Sequence, residues 1–446
     1  MSEIISLHIG QAGCQIGQSN YDLLAFEHGL TLNGLLEDKE NLKSSVPAFF
    51  YETSNEKYRP RSIFIDSEPE TINNLKTSAQ KDFHDPTSII FQSEDTGNNF
   101  SRSKYVLGQT FLEPTLEKIR NEIEKCANFQ GFLIYNSVGG GMGSGFTSFL
   151  IENLAIEYEK KIRFGCGVYP KADFSKIIVE PYNVILATSS LIDQINFELV
   201  LDNEAIHEIC EQKLEIESPS ELNLNRLISQ LVSGVTSSIR YSGSILQDLN
   251  DFPVSLVPYP KFQFCGAGMA PLIGSNKYYF ENLSVAETTF NCLEKDSTLV
   301  KLNVDKGKYL AMSMLYRGDV VPRDVSATIG TIKARKNIQF ADWVSTGFKI
   351  GINSAPFKVL PYGDLALSKI GAYTIFNNTS MKEIFKRINT NYKRLYSKQA
   401  FVHWYFSNGL EKEEFEEAEE NLRIMMSDYD EAEADLEQEV ESQEQA

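Results

Sequence analysis

The 446-residue chain has no CxxC pair among its six cysteines (Cys14, Cys126, Cys166, Cys210, Cys265, Cys292) and no metal-ligand spacing among its five histidines. That scatter argues against a zinc centre or a disulfide framework and fits a reducing compartment. No apolar run approaches the roughly 18 residues that span a bilayer. The longest candidate, Phe146 to Ile156, is interrupted by Glu152 and Asn153. The opening MSEIISLHIG lacks a basic region followed by an apolar stretch, so a secretory leader is not expected and a cytoplasmic protein is. Basic residues are scarce at the far end. Residues 411–446 carry sixteen Asp or Glu against Lys412 and Arg423, so −14 of the net −19 sits there. Phosphate backbones would be repelled, which disfavours nucleic acid as a partner.

From Asp428 to Ala446 there are nine acids, no Lys or Arg, and only Leu436 and Val440 as bulky aliphatics. Such a segment cannot bury enough apolar surface to offset the entropy of ordering it, so a disordered acidic tail is expected over 428–446. It reads either as a solubilising tail or as an electrostatic handle for basic partners.

The body of the chain has ordinary globular content, 42% hydrophobic and 23% charged, and its length predicts two or three domains. Short apolar runs at Ile4–Ile9, Ser62–Ile65, Gly131–Val138 and Arg163–Tyr169 end in Gly or Asp and alternate with helical stretches such as 105–126 and 146–160. Strand, turn and helix in repetition predict an α/β fold with a doubly wound parallel sheet, whose ligands bind at the carboxyl ends of the strands. This first domain is expected over 1–203. Leu224, Leu227, Ile228, Leu231, Val232, Val235 and Ile239 recur at steps of three and four, which predicts a buried central helix over 220–240. It opens a second, mixed α/β domain (204–378), followed by a helical pair over 379–427.

The strongest chemical signal is Gly139-Gly140-Gly141-Met142-Gly143-Ser144-Gly145, which follows a buried strand and opens a helix. Successive glycines turn backbone N–H groups inward and a helix N-terminus adds positive potential, so a phosphate can be cradled without lysine. No GK[ST] and no strand-linked GxGxxG is present, which separates the loop from a Walker A motif and from a dinucleotide oxidoreductase. Gly10-Gln11-Ala12-Gly13-Cys14-Gln15 is a second candidate phosphate loop. Asp66 and Glu68 could hold Mg²⁺ directly or through water. Asp95 and Asn98 add polar atoms on another loop.

GQAGCQIG, GGGMGSG, VEPYN (Val179–Asn183), DNEAI, NLNRLI, VPYP, YRGDVVPRDV, IQFADW and AFVHWY resemble tubulin, in tubulin's order, from residue 1 to about 425. The segment Ser354–Leu365 resembles an insertion of the alpha type, and the acid Asp251 stands where alpha subunits carry Glu. The resemblance implies GTP and Mg²⁺ as cofactors and beta-tubulin as partner. It also implies a structural role in microtubules, including axonemal ones, with microtubule-associated proteins and motors meeting the tail. By matching position, Gln11, Gly140, Gly141 and Gly143 would contact phosphates, with Ala12, Gln15, Ser137 and Met142 beside them. Glu68 and Asp66 would serve the metal. Asn203 and Asn225 would read guanine, with Glu180 and Lys176 near the ribose. Alpha's own GTP would not be hydrolysed; Asp251 would act on the nucleotide of the next beta subunit.

Departures from the family pattern temper those expectations. Asp251 is about 1.5 Å shorter than Glu, and Pro253 threatens the helix that carries it. Met142 replaces a threonine. Glu221 stands in place of a tyrosine that stacks on guanine, a loss of roughly 1 kcal/mol. The tail has no terminal tyrosine, and Lys39 lies near an acetylated position of the family. An alternative reading is therefore a degenerate alpha-like tubulin that uses nucleotide only structurally, in capping or specialised roles without hydrolysis.

Overall fold

The apolar runs of the first 200 residues fold as strands because each is buried on both faces, the condition that favours continuous aliphatic sequence over alternation. In the computed structural model they are β1 (Glu3–Ile9), β4 (Ser62–Asp66), β6 (Phe129–Ser137) and β7 (Ile162–Tyr169), with β2 (Phe50–Glu52) and β3 (Tyr58–Pro60) forming a separate antiparallel hairpin. The remaining strands are β5 (Ile89–Phe91), β8 (Phe197–Asp202), β9 (Phe264–Ala270), β10 (Tyr309–Gly318), β11 (Phe348–Asn353) and β12 (Ile370–Asn378). The structure describes residues 2–36, 46–171, 177–241, 248–275, 283–334, 338–344 and 347–434. Lys39, Lys176 and the tail from 435 onward lie outside them.

Ten strands make one sheet in the order β5-β4-β1-β6-β7-β8-β9-β12-β10-β11. Pairing is parallel from β5 to β9; β12 runs antiparallel to β9 and β10, and β11 parallel to β10. The parallel half and the mixed half expected from the sequence thus share a sheet, joined where Glu198 and Leu199 of β8 meet Phe264 and Cys265 of β9. The chain winds outward from β1 through β4 to β5, then returns to β6 and winds the other way. The reversal between β1 and β6 is a topological switch point, where adjacent loops diverge and leave a crevice.

The central helix spans Glu221–Val235, and a further turn covers Ser237–Arg240. It buries Leu227, Ile228, Leu231, Val232 and Val235, and it packs on the helix Gly10–Glu27 that follows β1. At its end sits a fully buried ion cluster. Glu27 accepts hydrogen bonds from Arg240 and Arg317, both at 2.6 Å, and from Ser233. Burial alone would raise the Glu27 carboxyl, but the two guanidiniums outweigh it and hold it at about 2. The segment 354–365 lies against the central helix: Gln230 donates to the Lys358 carbonyl at 3.2 Å and Asn223 to Asp364 at 2.7 Å.

At the C-terminus, helices Lys382–Tyr396 and Lys412–Glu433 pair antiparallel, with Lys393 beside Glu419 (3.0 Å) and Lys382 beside Asp430 (2.7 Å). The expected tail therefore differs over Asp428–Glu433, which are helical. Tyr429 explains it: its ring is fully buried, 4.5 Å from Phe262, and this aromatic anchor holds an otherwise acidic turn in place.

Glu198 is an oddity of the core. It is fully buried on β8, lies over Gly165 and Gly167 of β7, and among the described residues neither carboxyl oxygen has a side-chain partner. Burial pushes it up to about 8 from 4.5. The folded chain keeps this proton across a window where the unfolded chain releases it, so its contribution to stability falls as pH rises from about 4.5 to about 8. Glu198→Gln should accordingly gain in apparent unfolding temperature over the parent as pH is raised from 5 to 8; a pH-independent difference would contradict the buried, protonated state.

Candidate functional site

Two loops build the crevice. After β1 the chain enters the helix Gly10–Glu27 directly at Gly10, whose φ of +73° is left-handed and costs glycine nothing. The residue before it, Ile9, supplies no side-chain cap, so the first N–H groups of that helix are left for water or a ligand. After β6, Val138–Gly141 lead into a wide helical turn, Met142–Phe146, continuing as the helix Thr147–Glu157.

The two loops touch. A side chain on Gly10 would meet the Gly143 nitrogen at 3.2 Å, and one on Gly143 would strike the Ser137 carbonyl. One on Gly140 would meet nothing within 4 Å, because that side faces the open crevice. Hydrogen bonds fix the loop's shape: Asn136 donates to the Gly143 carbonyl at 2.8 Å, and Ser144 donates to the carbonyls of Gly140 and Gly141.

A cleft of about 590 Å³ lies between these loops and those after β4 and β5. Of the residues picked out from the sequence, it brings together Gln11, Ala12, Asp66, Glu68, Asn98, Ser137, Gly140, Gly141, Met142, Gly143 and Glu180. Met142 contributes backbone only. Its side chain is buried, and its sulfur accepts a hydrogen bond from Ser103 at 3.3 Å. Gln15 is half-buried on the helix beyond Gly10 and does not line the cleft. Asp95 is exposed, and it accepts from the Gly97 N–H at 2.8 Å as turn chemistry does. Asn203 opens the helix Asn203–Gln212 after β8, and Asn225 lies in the first turns of the central helix; both are half-buried and outside the cleft lining. Glu221 is the first residue of that same helix, where an acid suits the dipole. Asp251 sits on another element altogether, at the start of the helix Asp251–Leu256. Pro253 falls in the first turn of that helix, where its missing N–H would have had no helical partner, so the expected disturbance does not arise.

Asn183, of VEPYN, is a site residue that the motif named without giving it a role. It is fully buried and donates to the carbonyls of Gly139 (2.9 Å) and Asn98 (2.7 Å). Its oxygen accepts from the Phe100 N–H and from the Tyr405 hydroxyl. One amide thereby ties the Gly loop, the loop after β5 and the C-terminal region together.

The acid side of the cleft has the character of a cation site. Asp66 Oδ1 accepts from the N–H groups of Ser67 (2.8 Å) and Glu68 (3.3 Å), while Oδ2 is buried and, among the described residues, has no hydrogen-bond partner. Burial pushes the Asp66 carboxyl up to about 6, and burial with Asp95 and Glu70 nearby raises Glu68. Among the described residues there is no cluster of three metal-ligating side chains.

The family model for the GTPase domain of the Tubulin/FtsZ family matches residues 3–211, and that for the tubulin C-terminal domain matches 260–390. The tubulin alpha-2 chain of Eleusine indica is 43% identical over 446 residues, covering 99% of this chain and 100% of that one. The chain belongs to the tubulin family. Within it the chain is of the alpha type. The cleft at the β1/β6 switch point lies wholly inside the part matched to the tubulin GTPase domain, since its lining runs from Ile9 to Glu180.

The two contrasting glycines give a direct test of how this tubulin builds its loop. Gly143→Ala should destabilise the fold by about 1–3 kcal/mol through overpacking against Ser137, whereas Gly140→Ala should melt with the parent. Equal melting of the two variants would contradict the close loop contact.

Proposed function

We propose that this alpha-type tubulin holds GTP between the loops after β1 and β6, pairs with beta-tubulin through that end, and offers Asp251 to the nucleotide of the next beta subunit. GTP binding, a beta-tubulin partner and a structural role in the microtubule cytoskeleton follow from the family. The observation that carries the finer reading is the backbone-lined crevice at the switch point, with Gly140 open to it and two carboxylates on its far side. Gln11, Gly140, Gly141 and Gly143 are assigned to the phosphates, with Ala12, Ser137 and the Met142 N–H beside them. Glu180 and Lys176 are assigned to the ribose, Asn203 and Asn225 to guanine.

Asp66 and Glu68 would hold Mg²⁺, which supplies charge neutralisation for the phosphates. We assign the chain's own cleft a nucleotide that is retained and not hydrolysed, as the resemblance to alpha subunits implies. Hydrolysis belongs to the contact between subunits. There Asp251 accepts a proton from water as the water oxygen bonds to the γ-phosphorus of the beta subunit's GTP; the bond to the bridging oxygen breaks, leaving GDP and phosphate. The acidic charge of 411–446 suits basic partners such as microtubule-associated proteins and motors, and axonemal microtubules are within the proposed range.

A second reading, an alpha-like tubulin that does not support hydrolysis, is favoured by Glu221 in place of an aromatic platform and by the short reach of Asp251.

Copolymerisation with beta-tubulin should leave one GTP per alpha chain unhydrolysed, measured by nucleotide extraction; an alpha chain free of GTP would overturn the site. Asp251→Glu should speed phosphate release from the polymer several-fold, and an unchanged rate would favour the non-hydrolytic reading. Asp66→Asn should weaken Mg²⁺ binding by the GTP-loaded protein several-fold in a Mg²⁺ titration, and unchanged affinity would remove Asp66 from the metal site.

A further inference from the structure

Asp251 is held from two sides by its own chain. Its N–H donates to the Asp248 carbonyl at 3.0 Å, and the Asp248 N–H donates back to Asp251 Oδ2 at 3.1 Å. The Lys349 ammonium, on β11 at the outer edge of the sheet, lies 3.4 Å from that same Oδ2. The helix cannot slide beneath them, because Phe252 is fully buried against Phe164 and Phe197. Among the described residues, Asp251 Oδ1 has no partner. Both side chains of the ion pair remain partly exposed, Lys349 at 35% and Asp251 at 42%.

We propose that Lys349 is a positioning residue for hydrolysis in the partner: it fixes the carboxylate plane by one oxygen so that the other faces the beta subunit's water. This rests on the reading of Asp251 as the base. A half-exposed ion pair contributes little to folding, so holding the fold together is not its main effect. Orientation is a different matter. A general base works only within about 2.6–3.2 Å of the proton it takes, and misplacement by 1 Å costs on the order of 10²-fold. Aspartate has less reach than glutamate to absorb such an error, so its orientation counts for more. The water proton passes to Oδ1, and Oδ2 stays with Lys349 and the Asp248 N–H.

Heterodimers with beta-tubulin carrying Lys349→Met, Lys349→Arg, Asp251→Asn or the first and third together separate the possibilities. Phosphate release per polymerised dimer is measured beside assembly with a slowly hydrolysed GTP analogue. Lys349→Met should slow release about tenfold while assembly with the analogue is unchanged, and Lys349→Arg should restore most of the rate. On the Asp251→Asn background Lys349→Met should cost nothing further. An unchanged or faster rate in Lys349→Met, or the same slowing with Asp251 already removed, overturns the positioning role. If Asp251→Asn alone leaves release intact, it is the base assignment itself that fails.

Discussion

The carboxylate of Glu27, closed in between Arg240 and Arg317, is the contact on which the geometry of the rest depends. A charge so far from water persists only when it is paired and hydrogen-bonded, and here two guanidiniums and the Ser233 hydroxyl saturate it. Its partners come from distant parts of the chain: the turn after the central helix and the end of β10. The helix that bears Glu27 begins at Gly10, on the crevice floor. Fixing its far end therefore fixes where its first N–H groups stand relative to the central helix. A buried ion pair often adds little to net stability compared with apolar packing; what it supplies here is a single permitted arrangement of three elements.

Much of this was legible in the sequence because the governing physics is local. The parallel strands read as unbroken aliphatic runs, and the central helix reads as a stripe at steps of three and four. The Gly loop announces its chemistry because only glycine allows backbone N–H groups to converge on an anion. Other features depend on partners far along the chain. Asn183 sits in a quoted motif, but its role comes from Tyr405, which is 222 positions away. Composition placed Asp428–Glu433 in the tail, and one buried tyrosine keeps them helical. The concern over Pro253 dissolved once the helix start was known, since the same residue is disruptive in a helix interior and harmless in the first turn. Gln15, Asn203 and Asn225 were matched by motif order and Asp95 was picked as a polar residue of a loop, and neither signal says which of them faces the cleft.

The alpha-type segment 354–365 shows how an insertion can be read as a plug. Phe357 is buried, Lys358 donates to the carbonyl of Glu27 at 3.0 Å, and Asp364 takes Asn223 and Arg226 of the central helix. The segment thus braces the central helix along much of its length and seals its flank. Of the residues that depart from the family pattern, Met142 is packed inside the Gly loop, whereas Glu221 and Asp251 each begin a helix elsewhere.

The contrast between Gly140 and Gly143 has a bearing on how such a chain can change over time. Gly143 is required by the polypeptide itself, since any side chain there collides with Ser137 whether or not nucleotide is present. Gly140 is required only by whatever occupies the crevice. In a lineage released from nucleotide binding, the first would persist and the second would drift, so the pair records, three residues apart, which demand on the molecule is still in force.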